Sequence, residues 1–231
     1  MHKKLLPKVK PQTQERSDFA VRNILEAADA AIVESDSGQL NVRKLAAKAG
    51  YSIGSLYYYF NKAEDAFIIA IIRRREKQFS KLADLIDQFP ADKPLHELLV
   101  VMVDSSFFEY KRIHPRSFFM VFRMILRFSK NPLAFDDALT TLVKPLLAAQ
   151  QRDTTGTFRQ IDEHELQMLL KTCLAMLRRP FLEQSPMAGG VQHRELAINV
   201  MERLLGNMVF ASKQMEQVQG NEQIPGKAET A

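Results

Sequence analysis

The sequence predicts an all-α fold of about nine helices, and three observations carry that expectation. Apolar residues recur at the 3, 4, 7 spacing of a helix face along nearly the whole chain. Capping residues, glycine and proline mark breaks between the periodic stretches. No convincing strand pattern and no internal repeat intervenes. With 231 residues, 46% hydrophobic and 26% charged, the composition is that of a globular chain, which rules out a disordered or collagen-like one.

Val21, Ile24, Leu25, Ala28, Ala31 and Ile32 line one face of a first helix, with Gly38 placed to stop it. Asn41 caps a short second helix, Val42 to Ala49, and Gly50 ends it. Ser52 caps a third short helix to about Phe60. Asn61 and Glu64 fit a capping box that opens a long helix over about 62–88. Prolines then punctuate helices expected at about 95–112, 115–129 and, from Asn131-Pro132, to about Gln151. Asp162 with Glu165 caps a helix to about Gln184, with a bend expected at Pro180. A last helix is expected from about Val191 to Gln214.

Charge and cysteine usage narrow the function. The net charge is +5. Residues 1–62 hold ten Lys and Arg against six Asp and Glu, so most of the excess sits in this quarter, as in a polyanion-binding module. Cys173 is the single cysteine, so an internal disulfide and a four-cysteine zinc site are excluded and a reducing cytoplasm is the simplest location. The basic start lacks an apolar core, so no signal peptide is expected, and no apolar run is long enough for a membrane span.

The functional constellation is a pair of short helices joined by Ala49-Gly50-Tyr51-Ser52, a helix-turn-helix at about 41–60. Such a turn presents the N-terminal end of its second helix to the major groove. That first turn, Ile53-Gly54-Ser55, is small enough for close approach to base edges. Tyr57 and Tyr58 cannot both lie fully on one face, so at least one points outward, where a hydroxyl can donate to phosphate. Tyr59 and Phe60 suit the core.

Ile24-Leu25-Glu26-Ala27-Ala28, Leu40 to Ala46, and Ala49 through Phe60 with its Gly-x-Leu-Tyr-x-x-Phe signature together resemble the N-terminal domain of TetR-type transcriptional regulators. The resemblance covers about residues 17–70, and the later helices resemble that family in layout. It implies phosphate contacts from Asn41, Val42 and Arg43, and base contacts from Ser52, Ile53, Gly54 and Ser55. Tyr57 and a lysine at the start of the fourth helix would hold the backbone, with Tyr58 beside them. Two departures stand out: Asn41 replaces the usual threonine, and one residue is missing between Phe60 and that lysine. A deletion makes the lysine Lys62, at the helix start; a gapless match puts Ala63 there.

The resemblance also implies a homodimer on a palindromic double-stranded operator and a small-molecule effector of unknown identity. Phe119, Phe122, Met102 and Met124 suit an apolar or amphipathic ligand, with Arg116 or Arg123 for an acidic group. Leu166, Leu170, Leu174, Met201, Leu205 and Met208 suit a dimer interface, because their helices hold more apolar residues than one core stripe needs. No histidine pair has metal-ligand spacing, and no P-loop, GxGxxG or GxSxG occurs, so no catalytic residue, metal or cofactor is expected. The organisation expected is a basic flexible arm (1–16), a DNA-binding domain (17–62), a ligand-binding and dimerisation domain (63–217) and a disordered tail (218–231). The function expected is a transcriptional regulator, with repression its usual sign. The alternative is an all-α carrier or enzyme using the helix-turn-helix only as scaffold.

Overall fold

The computed structural model describes residues 15–35, 39–128 and 138–207. Among them run α1 (Glu15–Val33), α2 (Val42–Ala49), α3 (Ile53–Tyr59), α4 (Asp65–Asp87), α5 (Leu95–Lys111), α6 (Pro115–Phe128), α7 (Val143–Arg152), α8 (Glu163–Leu182) and α9 (Val191–Leu205). The sole β feature among the described residues is an isolated bridge between Phe158 and Gly206. The fold is all-α, as the periodicity requires.

Two hydrophobic cores organise these helices. The first joins Ile24, Ala28 and Ile32 of α1 to Leu45 of α2, Leu56 of α3, Phe67 and Ile68 of α4, and Val121 and Ile125 of α6. The second joins Phe79 and Ile86 of α4 to Leu98 and Met102 of α5, Leu146 of α7, Leu174 of α8 and Met201 of α9. α4 belongs to both. Its 23 residues make a rod of about 34 Å whose first half packs in the core with α1, α2 and α3 and whose second half packs in the core with α5, α7, α8 and α9. α6 follows α5 in sequence but puts its apolar face on the first core, so that core extends beyond residues 17–62.

Several expected boundaries move. α4 starts at Asp65, not Lys62, and Glu64 makes no capping bond with its side chain. The capping box at Asn61 does not form; the Asp65 carboxylate instead accepts the Lys62 N–H at 3.1 Å and closes the preceding turn. α7 starts at Val143 after a 3₁₀ turn over 138–142, and the expected start at Asn131-Pro132 lies outside the described residues, as does Gly38. α9 stops at Leu205 rather than Gln214: Gly206 is extended, at φ −93° and ψ 160°, and its N–H returns to the Glu202 carbonyl. Asp162 caps α8 as expected, its carboxylate accepting the Glu165 N–H, and the helix carries Pro180 within its last turn.

Candidate nucleic-acid interface

Local chemistry sets the two short helices firmly. The Asn41 Oδ1 accepts the N–H of Arg43 at 2.8 Å and of Lys44 at 3.2 Å, satisfying two donors at the head of α2 that have no helical partner. Gly50 sits at φ 76°, in the left-handed region, and donates its N–H to Ala46 and Ala47 carbonyls. Ser52 then caps α3 by accepting the Ser55 N–H at 3.1 Å. Leu56 and Phe60, four residues apart and fully buried, pin α3 on the first core.

That anchoring fixes what faces outward. Ser52, Ile53 and Gly54 are exposed, and Ser55 is half-buried with its hydroxyl 2.9 Å from that of Ser52. Tyr57 and Tyr58 both project to solvent, 51% and 66% exposed. Tyr58 meets Tyr59 edge to face, while Tyr59 and Phe60 join the core as expected. Gly54 has ordinary helical geometry, and an added Cβ would meet only the Ser52 Oγ, at 3.5 Å. Nothing inside the fold therefore requires a glycine there.

At the head of α2, Asn41 and Arg43 are exposed and Val42 is half-buried. Neither α2 nor α3 has an acidic residue in its first turn, so the partial positive charge at the start of α2 is not cancelled. Lys62 is exposed, whereas Ala63 is fully buried and could not present a side chain to a phosphate. Beneath Lys62 lies Asp65, whose carboxyl is pushed above its usual range by burial, against the opposing pull of the Lys62 N–H. Lys44, exposed beside Arg43, went unremarked in the sequence although it adds to the same basic edge. Lys48 is engaged with Glu34.

The six residues expected to hold a ligand are not gathered around one cavity. Met102 is buried in the second core, Phe122 and Met124 lean on the first, and Phe119, Arg116 and Arg123 are exposed on α6. A groove of about 450 Å³ opens instead between α1, α4 and α5, and none of the six lines it. The expected dimer contacts also need correction. Leu166, Leu170, Leu174, Met201 and Leu205 are all buried within their own chain, because α8 and α9 use those stripes for the second core. Met208 lies outside the described residues. Cys173 is buried beside them, its thiol pushed up to about 11 by burial, so it stays an unreactive thiol at neutral pH. Among the described residues no group of three His, Cys, Asp or Glu side chains could hold a metal ion, and no helix is long and apolar enough to cross a membrane.

A rigid helix-turn-helix with a small, exposed first turn, carried on a long helix that enters a second helical core, is the architecture of a DNA-binding transcriptional regulator. Residues 24–65 match the family model of bacterial regulatory proteins, tetR family. The N-terminal domain is of that type, and over most of its length the chain has the fold of TetR-family transcriptional regulators. A protein from Saccharomonospora viridis, described as a transcriptional regulator and solved in complex with choline, superposes with a TM-score of 0.57 at 17% identity, covering 82% of this chain and 99% of that one. A tetR-family regulator from Streptomyces coelicolor gives 0.55 at 15%, covering 81% and 79%. SmeT, the repressor of the Stenotrophomonas maltophilia multidrug efflux pump SmeDEF, gives 0.54 at 21%, covering 84% and 93%. No curated protein matches the chain.

Proposed function

We propose that this protein is a sequence-specific repressor that binds a palindromic operator as a homodimer and is released by a small apolar or amphipathic ligand. The observation that carries the reading is Gly54: an exposed glycine in the first turn of α3 that the fold itself does not need. A glycine there suits close approach of the helix to DNA. Ser52, Ile53, Gly54 and Ser55 would read base edges, and Asn41, Val42, Arg43, Tyr57, Tyr58 and Lys62 would hold phosphates. SmeT supports the repressor sign as a similar fold at 21% identity. The choline complex supports a small-molecule effector in the same way.

The dimer is proposed through the outer faces of α8 and α9. Met168, Thr172 and Ala175 of α8 and Leu196 of α9 are exposed, with Met176, Val200 and Leu204 half-buried beside them. Met168, Ala175 and Leu196 are the exposed apolar surplus of the two helices, while Met176 and Leu204 also lean on the second core. A two-fold copy would cover it and set two α3 helices one helical turn of DNA apart, roughly 34–36 Å, or a multiple of that. Phe119, Phe122, Met124, Arg116 and Arg123 share α6, which touches α1, α4 and α8. Ligand pressure there, with Met102 on the neighbouring α5, would tilt α4 and change the spacing of the reading helices. The ligand must bind the spread state more tightly for this to release DNA.

Gly54→Ala tests the reading. Alanine favours a helix by about 1 kcal/mol over glycine, so the thermal midpoint should hold or rise. Specific DNA affinity should nevertheless fall at least about tenfold, roughly 1.4 kcal/mol. Unchanged DNA binding in this variant would remove the observation on which the reading rests.

A further inference from the structure

The groove between α1, α4 and α5 carries a second inference, independent of whether the chain binds an operator. Six basic side chains line it, Arg22 from α1, Arg73, Arg74, Lys77 and Lys81 from α4, and Arg112 from the cap that ends α5. Three carboxylates oppose them: Glu26, Asp29 and Glu109. Two of those acids are already taken. Arg74, only 13% exposed, spans the groove floor and binds the Asp29 carboxylate with Nη1 at 2.9 Å and the Glu109 carboxylate with Nη2 at 2.7 Å. Arg22, Arg73, Lys77 and Lys81 make no ion pair or hydrogen bond among the described residues, and Glu26 is the one lining acid left to offset them.

The surplus is arranged as well as present. Arg73, Lys77 and Lys81 follow one another at four-residue steps, so they stack on one face of α4, where like charges repel. Arg22 faces them from α1 and Arg112 closes the α5 side. Guanidinium groups pair with phosphate oxygens two at a time, while lysines add point charge. The volume of about 450 Å³ lies within the range of small-molecule sites, and Leu25, Ala30 and Ala70 give the wall an apolar strip.

We propose that this groove binds a small polyanion carrying two or more linked phosphate groups. Once seated, the anion joins α1, α4 and α5 across the same three helices that Arg74 already ties. It therefore stiffens the junction between the DNA-reading core and the second core, separately from the ligand expected at α6.

The test uses the full chain with inorganic tripolyphosphate as probe, by titration calorimetry, with sulfate at matched ionic strength as the control. Saturable binding of one probe per chain is expected. Lys77→Gln with Lys81→Gln should weaken it at least about tenfold, roughly 1.4 kcal/mol, and Arg43→Gln with Lys44→Gln should leave it intact. The far-ultraviolet spectrum should be unchanged in both variants, since all four side chains are exposed. Absence of saturable binding would overturn the proposal, as would sulfate binding equally well. Loss of binding in the Arg43 and Lys44 variant but not in the Lys77 and Lys81 variant would place the polyanion on the DNA-facing surface instead.

Discussion

The hydroxyls of Ser52 and Ser55 sit 2.9 Å apart at the head of α3, and the Ser52 oxygen also accepts the Ser55 N–H. One serine therefore supports the other. Ser52 does structural work as the cap, while Ser55 holds a hydroxyl in the first turn of α3 within hydrogen-bond reach of its partner. The two can be told apart by substitution. Ser52→Ala should lower stability by about 1 kcal/mol, as cap removal does. Ser55→Ala should leave the denaturant midpoint nearly unchanged but reduce discrimination at one base step by about 1 kcal/mol, the low end for a specific contact. Equilibrium unfolding and competition with single-base variants of a bound site check both halves.

The outer face of α8 and α9 predicts a different response from the buried face. Met168→Glu with Leu196→Glu changes two exposed side chains, 61% and 50% exposed, and should give a folded monomer by sedimentation at micromolar concentration. Leu170→Glu places a charge in the second core and should unfold the chain. A Met168 and Leu196 double variant that stays dimeric would move the interface elsewhere.

Arg74 of α4 holds two carboxylates from two different helices, Asp29 of α1 and Glu109 of α5. Arg74→Met removes the shared partner, takes from Asp29 its Arg74 ion pair and leaves Glu109 with only Arg112, 3.9 Å away. Because both acids keep some solvent contact, the expected cost is about 2 kcal/mol, below that of a fully buried pair. Adding Asp29→Asn and Glu109→Gln to that background should recover much of the loss. Denaturant midpoints across the cycle measure it.

His193 predicts a dependence on acid. It is fully buried against Phe107 and Phe181, and its Nδ1 accepts the Gly189 N–H at 3.0 Å, so the ring is neutral with its proton on Nε2. Pro180 lacks the N–H that the Met176 carbonyl would receive in a regular helix, and that carbonyl favours the protonated ring. Burial outweighs it and lowers the histidine's pKa below its ordinary 6.5. The unfolded chain then binds the proton more readily than the folded one, so this contribution to stability is present above 6.5 and is lost as pH falls below it. Stability measured from pH 7.5 downward should fall more steeply in the parent than in His193→Gln.

The sequence made the reading domain legible because its signals are local. Asn41, Gly50 and Ser52 act within a few residues of themselves, and each does in three dimensions what its type and spacing imply. The outward turn of both Tyr57 and Tyr58 follows from Leu56 and Phe60 facing inward, which the sequence pattern carried only in part. The start of α4 was misplaced because the Asn61 and Glu64 pattern competes with Asp65, whose carboxylate reaches back to Lys62 instead. The described residues expected at a dimer interface prove to be buried for another reason. Apolar positions on α8 and α9 fall on two faces, and only packing against α5 and α7 decides which face goes inside. Arg74 was legible as part of a basic triplet, but its partners are 45 and 35 residues away, a distance no local pattern spans.

The proposed reading of DNA sequence by the first turn of α3 requires that the protein select a defined site. The most direct measurement is selection of bound sites from a pool of random duplexes by the parent chain and by Gly54→Ala and Ser55→Ala, followed by sequencing. The parent should enrich a site with two inverted half-sites, their centres about one helical turn apart or a multiple of it. Ser55→Ala should relax one position symmetrically in both halves, and Gly54→Ala should lose the enrichment. A pool that stays random with the parent, or the same site enriched equally by all three proteins, would contradict the account.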